Sequence, residues 1–191
     1  MTYIIIGIIL VAGIVFYLTS CKNKSTSDSS NVKVHKVDEN HFDKLRNMAF
    51  SVTPEQLGLS LPTDKIIVYG IVMDWGMSGA VATTISFQTG DASMYLSSGG
   101  AVIGGGKHQN VSNAAKQFVN LAQTYLDKAV KTETTDLPTT EEVRFYILTN
   151  KGVFFGKEQM SNFENQSSEW LGLFDEGNKV ITELRVTTEN R

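Results

Sequence analysis

The glycine-rich segment of residues 97–108 (SSGGAVIGGGKH) combines the residue types that bind anions in many proteins. A glycine-rich loop that runs into the start of a helix presents backbone N–H groups and a favourable dipole to an anion. Lysine and histidine side chains would stand beside that positive pole. The segment therefore supplies the candidate ligand-binding residues, which are Gly104, Gly105, Gly106, Lys107 and His108.

Established phosphate-binding motifs do not fit this segment. If Gly106 and Lys107 are aligned with a Walker A loop, its first glycine falls on Ala101, and His108 replaces the final Ser or Thr. The glycines also suit a structural role, in which they let the backbone approach a helix closely. Two interpretations therefore stay open: a structural loop, or a site for an anion, nucleotide or small-enzyme substrate built on the loop from Gly99 to His108.

No catalytic residue, metal site or cofactor is predicted. The chain has three histidines, none of them paired at the spacing of a helical metal site, and a single cysteine, which excludes a Cys-based zinc site and an internal disulfide. Its serines lack the Gly-x-Ser-x-Gly nucleophile elbow. Enzymatic activity is accordingly left undecided, with a non-catalytic role favoured.

A second cluster surrounds the turn after the predicted central strand. Trp75 and Met77 stand together with Met73, and a tryptophan beside methionines is typical of an adaptable contact surface. The same residues would equally suit the end of a hydrophobic core. Trp75 and Met77 are therefore a candidate interaction surface.

Residues 3–18 (YIIIGIILVAGIVFYL) carry no charge and are followed by Thr19 and Ser20. An uncharged apolar run of this length just reaches the ~17–25 residues that a membrane-spanning helix needs. Tyr3 and Tyr17 mark its two ends, where aromatic rings favour the headgroup region. Residues 1–21 are therefore interpreted as a membrane anchor or a signal.

The two interpretations of residues 1–21, a membrane anchor and a lipoprotein signal, place the rest of the chain on opposite sides of the membrane. Lys22 and Lys24 follow the apolar run and, by the positive-inside rule, favour a single-pass anchor with a cytoplasmic domain. Cys21 directly follows Leu-Thr-Ser, which looks like the lipobox of a bacterial lipoprotein that would be lipidated at Cys21 and face the periplasm or exterior. Both interpretations predict attachment to a membrane.

Residues 22–40 are serine-rich and polar and are predicted to form a flexible linker. Residues 41–191 have the length of one globular domain. The net charge of -3 and pI near 5.6 argue against a nucleic-acid partner, since nucleic-acid binding domains are usually basic. A protein partner is the interpretation that remains.

Hydrophobic periodicity predicts an α+β domain with the element order α-βββ-α-ββ-α. The helices are expected over residues 41–50, from 110 to about 129, and over 168–188 with a break near Gly177; the strands over 65–74, 80–87, 92–96, 143–148 and 153–155. The first strand is apolar on both faces, which indicates a central strand covered on both sides. The fold expected is an antiparallel sheet of about five strands packed against helices, preceded by one membrane helix.

The segments VYGIVMDWG, TGDASMYLSSGG and VIGGGKH, within residues 68–108, resemble a family of small bacterial membrane-associated domains of unknown activity. The resemblance extends more loosely to FYILT and VITELR and supplies no catalytic residues. The element order is similar to that of roadblock or profilin-like modules, which serve as interaction scaffolds. The function expected is a membrane-tethered, non-catalytic interaction or binding module.

Overall fold

The structure is a computed structural model that describes residues 39–189. The membrane segment, Cys21 and nearly all of the linker lie outside these residues. Within the part of the chain that is described, none of the helices combines the length and the hydropathy that a membrane crossing requires.

Seven antiparallel strands form one open sheet in the order β4-β3-β2-β1-β6-β7-β5. Their bounds are β1 Val68–Met77, β2 Ala80–Phe87, β3 Ala92–Leu96, β4 Ala101–Val102, β5 Val130–Thr132, β6 Glu142–Thr149 and β7 Gly152–Gln159. The α+β class with an antiparallel sheet is confirmed, but the expected count of about five strands is wrong. The two additional strands, β4 and β5, are two and three residues long at the sheet edges, too short to show an alternating pattern.

Helices cover both faces of the sheet. They are α1 Glu39–Ser51, α2 Gln109–Ala122, α3 Met160–Glu164 and α4 Leu171–Glu189, with short 3-10 turns at Glu55–Leu57, Gly105–Lys107 and Gln123–Tyr125. The α2 and α4 helices pack against each other and on one face, whereas Phe42 and Ala49 of α1 are buried on the other. Each face thus has its own hydrophobic core.

The central strand is covered on both sides, as its sequence predicts. Every residue of β1 except Met77 is buried. Alternation along the strand directs Met73 and Trp75 toward the α2–α4 core and Val72 toward the α1 core. The strand lies three residues later than expected, because the chain joins the sheet only at Val68.

Two helix predictions need correction. The α2 helix ends at Ala122 rather than near residue 129. Directly after this end, the Gln123 side chain accepts a hydrogen bond at 2.9 Å from the N–H of Val68, at the start of β1. The break expected near Gly177 is wrong, since α4 is continuous there. A Cβ at Gly177 would lie 2.6 Å from the sulfur of Met73, so this glycine lets the helix approach the sheet instead of interrupting it.

Candidate functional site: a polar cleft beside the β5 edge

A row of polar residues crosses the α1 face of the sheet. The strand register places Thr83 of β2, Asp74 of β1, Arg144 of β6 and Lys157 of β7 directly opposite one another. Residues opposite each other in neighbouring strands point to the same face. The row therefore brings charged groups together on the face that also carries the α1 core, and it contributes to two clusters.

The first group, here called the buried cluster, consists of Arg46, Asp74 and Thr83. Asp74 is fully buried, and its Oδ2 accepts hydrogen bonds from Arg46 Nε at 3.0 Å and Nη2 at 2.6 Å. The other oxygen, Oδ1, accepts one from Thr83 Oγ1 at 2.5 Å. Both carboxylate oxygens have partners within the protein, and the Arg46 and Asp74 side chains are 4% and 0% exposed, so this cluster fastens α1 to the sheet and is closed to solvent.

The second group, here called the open cluster, consists of Glu142, Arg144 and Lys157. Glu142 Oε1 accepts a hydrogen bond from Arg144 Nε, and Lys157 Nζ lies 3.4 Å from Oε2. Burial acts to raise the pKa of Glu142, but the hydrogen bond and charge of Arg144 and the charge of Lys157 outweigh it, so that this pKa lies below its ordinary value. The Lys157 side chain is 54% exposed, and solvent therefore reaches this cluster.

One backbone carbonyl joins the two clusters. The oxygen of Asp136 accepts hydrogen bonds from Tyr146 Oη at 2.5 Å, from Arg144 Nη1 at 3.1 Å and from Arg46 Nη2 at 3.5 Å. Burial raises the pKa of Tyr146 and outweighs the opposing effect of Arg144. The raised pKa keeps the hydroxyl protonated, so that it acts as a hydrogen-bond donor. These bonds hold the loop of residues 133–141 over the face of the sheet.

A cleft of about 230 Å³ opens between this loop and the sheet. It is lined by Thr132, Thr134 and Asp136 from β5 and the loop, and by Arg144, Tyr146, Phe155 and Lys157 from β6 and β7. These side chains offer cations, a carboxylate, hydroxyls and an aromatic ring, all suited to binding polar groups. None of the lining residues is a cysteine, serine or histidine.

The glycine-rich segment lies elsewhere, against α4 and β3, and its five candidate residues do not line this cleft. A Cβ at Gly105 would lie 2.4 Å from Leu184 Cδ2, and one at Gly106 would lie 2.6 Å from Asp91 Oδ1. Gly104 has a φ of 80°, which favours glycine. Lys107 is exposed, and His108 precedes α2 without a side-chain cap. Neighbouring groups thus occupy the space beside Gly105 and Gly106.

Trp75 and Met77 belong to the end of the α2–α4 core. Trp75 is 4% exposed, and its ring meets Phe174 edge-on at 5.7 Å between centroids. Met77 is half-buried and packs against the same cluster. The folded domain therefore does not offer the tryptophan ring to a partner.

Sequence reasoning missed the open cluster and the cleft. A local signal exists, because Glu142 and Arg144 alternate with apolar residues at the start of a strand, but only the register brings Lys157 beside them. Within residues 39–189 no group of three His, Cys, Asp or Glu side chains is placed to hold a metal ion. Comparison of the chain with family models, curated proteins and solved structures finds no match.

Proposed function

We propose that the chain is a membrane-tethered, non-catalytic interaction module that docks an extended segment of a protein partner along β5. The observation that carries this proposal is the position of β5 at the end of the sheet order, where it pairs with β7 on one side. The opposite side of an edge strand presents backbone N–H and C=O groups that can pair with another chain. A partner segment would extend the sheet by one strand.

The side chains around β5 support the same proposal. Val130 is 64% exposed and, by strand alternation, shares a face with Thr132, which lines the cleft. Leu137, in the loop above the cleft, is 40% exposed. Exposed apolar groups beside a polar cleft can give a partner both buried area and hydrogen-bonding positions, which is the usual composition of a protein interface.

The membrane part of the proposal rests on the sequence of residues 3–20. The domain would be tethered through residues 22–38, either as a single-pass protein with a cytoplasmic domain or as a lipoprotein held at Cys21. The Cys21→Ser variant separates these cases. An unchanged mass and unchanged membrane fractionation support the anchor, whereas loss of lipid and of processing supports the lipoprotein.

The topological likeness to roadblock or profilin-like modules, which act as scaffolds, belongs to the same proposal. It adds an analogy of architecture to the observation on β5 and assigns no partner. The proposed recognition therefore depends on the β5 edge and its neighbouring side chains.

Site-specific photo-cross-linking in membranes of the source cell tests this function. A photoreactive residue at Val130 is expected to give a discrete cross-linked product, and the Val130→Glu variant is expected to lose partner capture in a pull-down. Val186 on α4, which is 36% exposed, provides matched control positions for both experiments. Cross-linking that is equal at the two positions, or capture that survives Val130→Glu, would contradict docking at β5.

A further inference from the structure

We infer that the cleft binds a free α-amino acid, whose carboxylate meets Lys157 and Arg144 and whose ammonium group meets Asp136. This inference goes beyond the docking of a partner at β5, because it concerns a small molecule. It starts from the cleft lining, which brings residues of both charges to one small space: Arg144 and Lys157 on β6 and β7, both in contact with Glu142, and Asp136 on the loop. A zwitterion complements such a lining, whereas a simple ion satisfies only part of it.

The cationic side can accept a ligand carboxylate. Lys157 carries three N–H donors, is 54% exposed, and approaches Glu142 only at 3.4 Å. It can therefore donate to a ligand while keeping its contact with Glu142. Arg144 is held in place by Glu142 and the Asp136 carbonyl and adds a second positive charge at the same end of the cleft.

The anionic side is positioned by its own backbone. The carbonyl of Asp136 is fixed by Tyr146 and the two arginines, while its carboxylate Oδ2 accepts from Thr134 Oγ1 at 3.3 Å. A carboxylate offers about four lone-pair positions. Capacity therefore remains for the N–H donors of an ammonium group.

The size and walls of the cleft restrict the ligand further. A volume of about 230 Å³ equals roughly eight water molecules at ~30 Å³ each. A single amino acid such as leucine fits this space, which is smaller than the sites of about 300–1,000 Å³ that drug-sized ligands occupy. The ring of Phe155, which is half-buried and lines the cleft, would contact an apolar side chain.

A titration of the full-length chain in detergent micelles tests the inference without any partner. L-leucine, leucinamide (which lacks the carboxylate) and N-acetylleucine (which lacks the ammonium group) are added while the backbone amide signals of Asp136 and Lys157 are followed by NMR. Leucine is expected to bind saturably with a Kd of about 1 mM, and each analogue at least about ten-fold more weakly. Equal binding of the three compounds, or no saturable binding of leucine below about 20 mM, would overturn the inference.

Two variants locate the binding in the cleft. Lys157→Gln and Asp136→Asn should each weaken leucine binding by about ten-fold or more, and Asp136→Asn keeps the backbone carbonyl that fixes the loop. Lys151→Gln is the matched control, because Lys151 is exposed in the β6–β7 turn and does not line the cleft. Leucine binding that both cleft variants leave unchanged would place the ligand elsewhere and overturn the assignment. Because no partner is present, failure here would leave the proposal for β5 standing.

Discussion

The buried and open clusters contain similar groups but differ in their access to water. Each is built around a carboxylate that an arginine holds: Asp74 with Arg46 in the buried cluster, and Glu142 with Arg144 in the open one. In the buried cluster α1 lies over the pair, and the two side chains are 0% and 4% exposed. In the open cluster the corresponding pair, Arg144 and Glu142, is 14% and 4% exposed, and solvent reaches it through Lys157, which is 54% exposed. The same charge chemistry therefore serves attachment of a helix in one place and can serve recognition in the other.

The Asp136 carbonyl connects the two clusters mechanically. Arg46 from the buried cluster and Arg144 from the open cluster both donate to it. A change that releases α1 should therefore also loosen the loop that forms one wall of the cleft. The buried cluster supports the open one through this loop, although it is itself closed to solvent.

The largest effect is expected when the buried cluster loses its carboxylate. Asp74→Ala leaves the guanidinium of Arg46 buried without its counter-charge, and we expect the free energy of unfolding to fall by about 3–5 kcal/mol. Urea unfolding of the full chain in detergent, followed by tryptophan fluorescence, measures this change. The control is Glu169→Ala, which removes an exposed ion pair with Lys128 at 3.6 Å and should cost less than about 1 kcal/mol. Similar losses for the two variants would show that burial does not distinguish the clusters.

A smaller loss of stability is expected from a substitution in the glycine-rich loop. Its size tests whether the space beside that loop is filled, as it is in the buried cluster. Gly105→Val should destabilise the chain by about 1–3 kcal/mol, because its Cβ would meet Leu184, Val111 and the backbone oxygen of Ala92. Lys107→Ala and His108→Ala should each change stability by less than about 0.5 kcal/mol. Thermal unfolding measures all three, and a rise in melting temperature with phosphate that depends on Lys107 would instead favour an anion site.

A loss of stability smaller than that of Gly105→Val is expected in the open cluster, and it depends on pH. Glu142→Gln should cost about 1 kcal/mol at pH 7, because the glutamine oxygen can still accept the hydrogen bond from Arg144 and water can solvate the exposed Lys157. The pKa of Glu142 is lowered in the folded chain, so its contribution is present above its ordinary value of 4.5 and is lost as the pH falls through the lowered pKa. Unfolding curves of both proteins at pH 7 and in acid should therefore converge in acid. A difference that grows on acidification would contradict the assigned charge state.

Periodic segments were predictable because their pattern is local. The strands Ala80–Phe87 and Ala92–Leu96 match their expected bounds, and the apolar spacing from Val111 to Ala122 follows the buried face of α2. The doubly covered β1 was also predictable, since a strand that is apolar on both faces requires cover on both faces. The short strands β4 and β5 were not, because two or three residues carry no period and are defined by their neighbours.

The sequence by itself determined the α+β class, the central strand, the principal helix and the apolar N-terminal segment that predicts a membrane tether. These features follow from composition and from periodicity within a few turns or strand residues. Tertiary structure decided which charges meet, because Arg46 and Asp74 are 28 residues apart and Arg144 faces Lys157 only through the strand register. It also placed the Asp136 carbonyl over both clusters and left β5 at an open edge. Hydrogen bonds and ion pairs depend on distances between side chains that the order of residues along the chain does not fix.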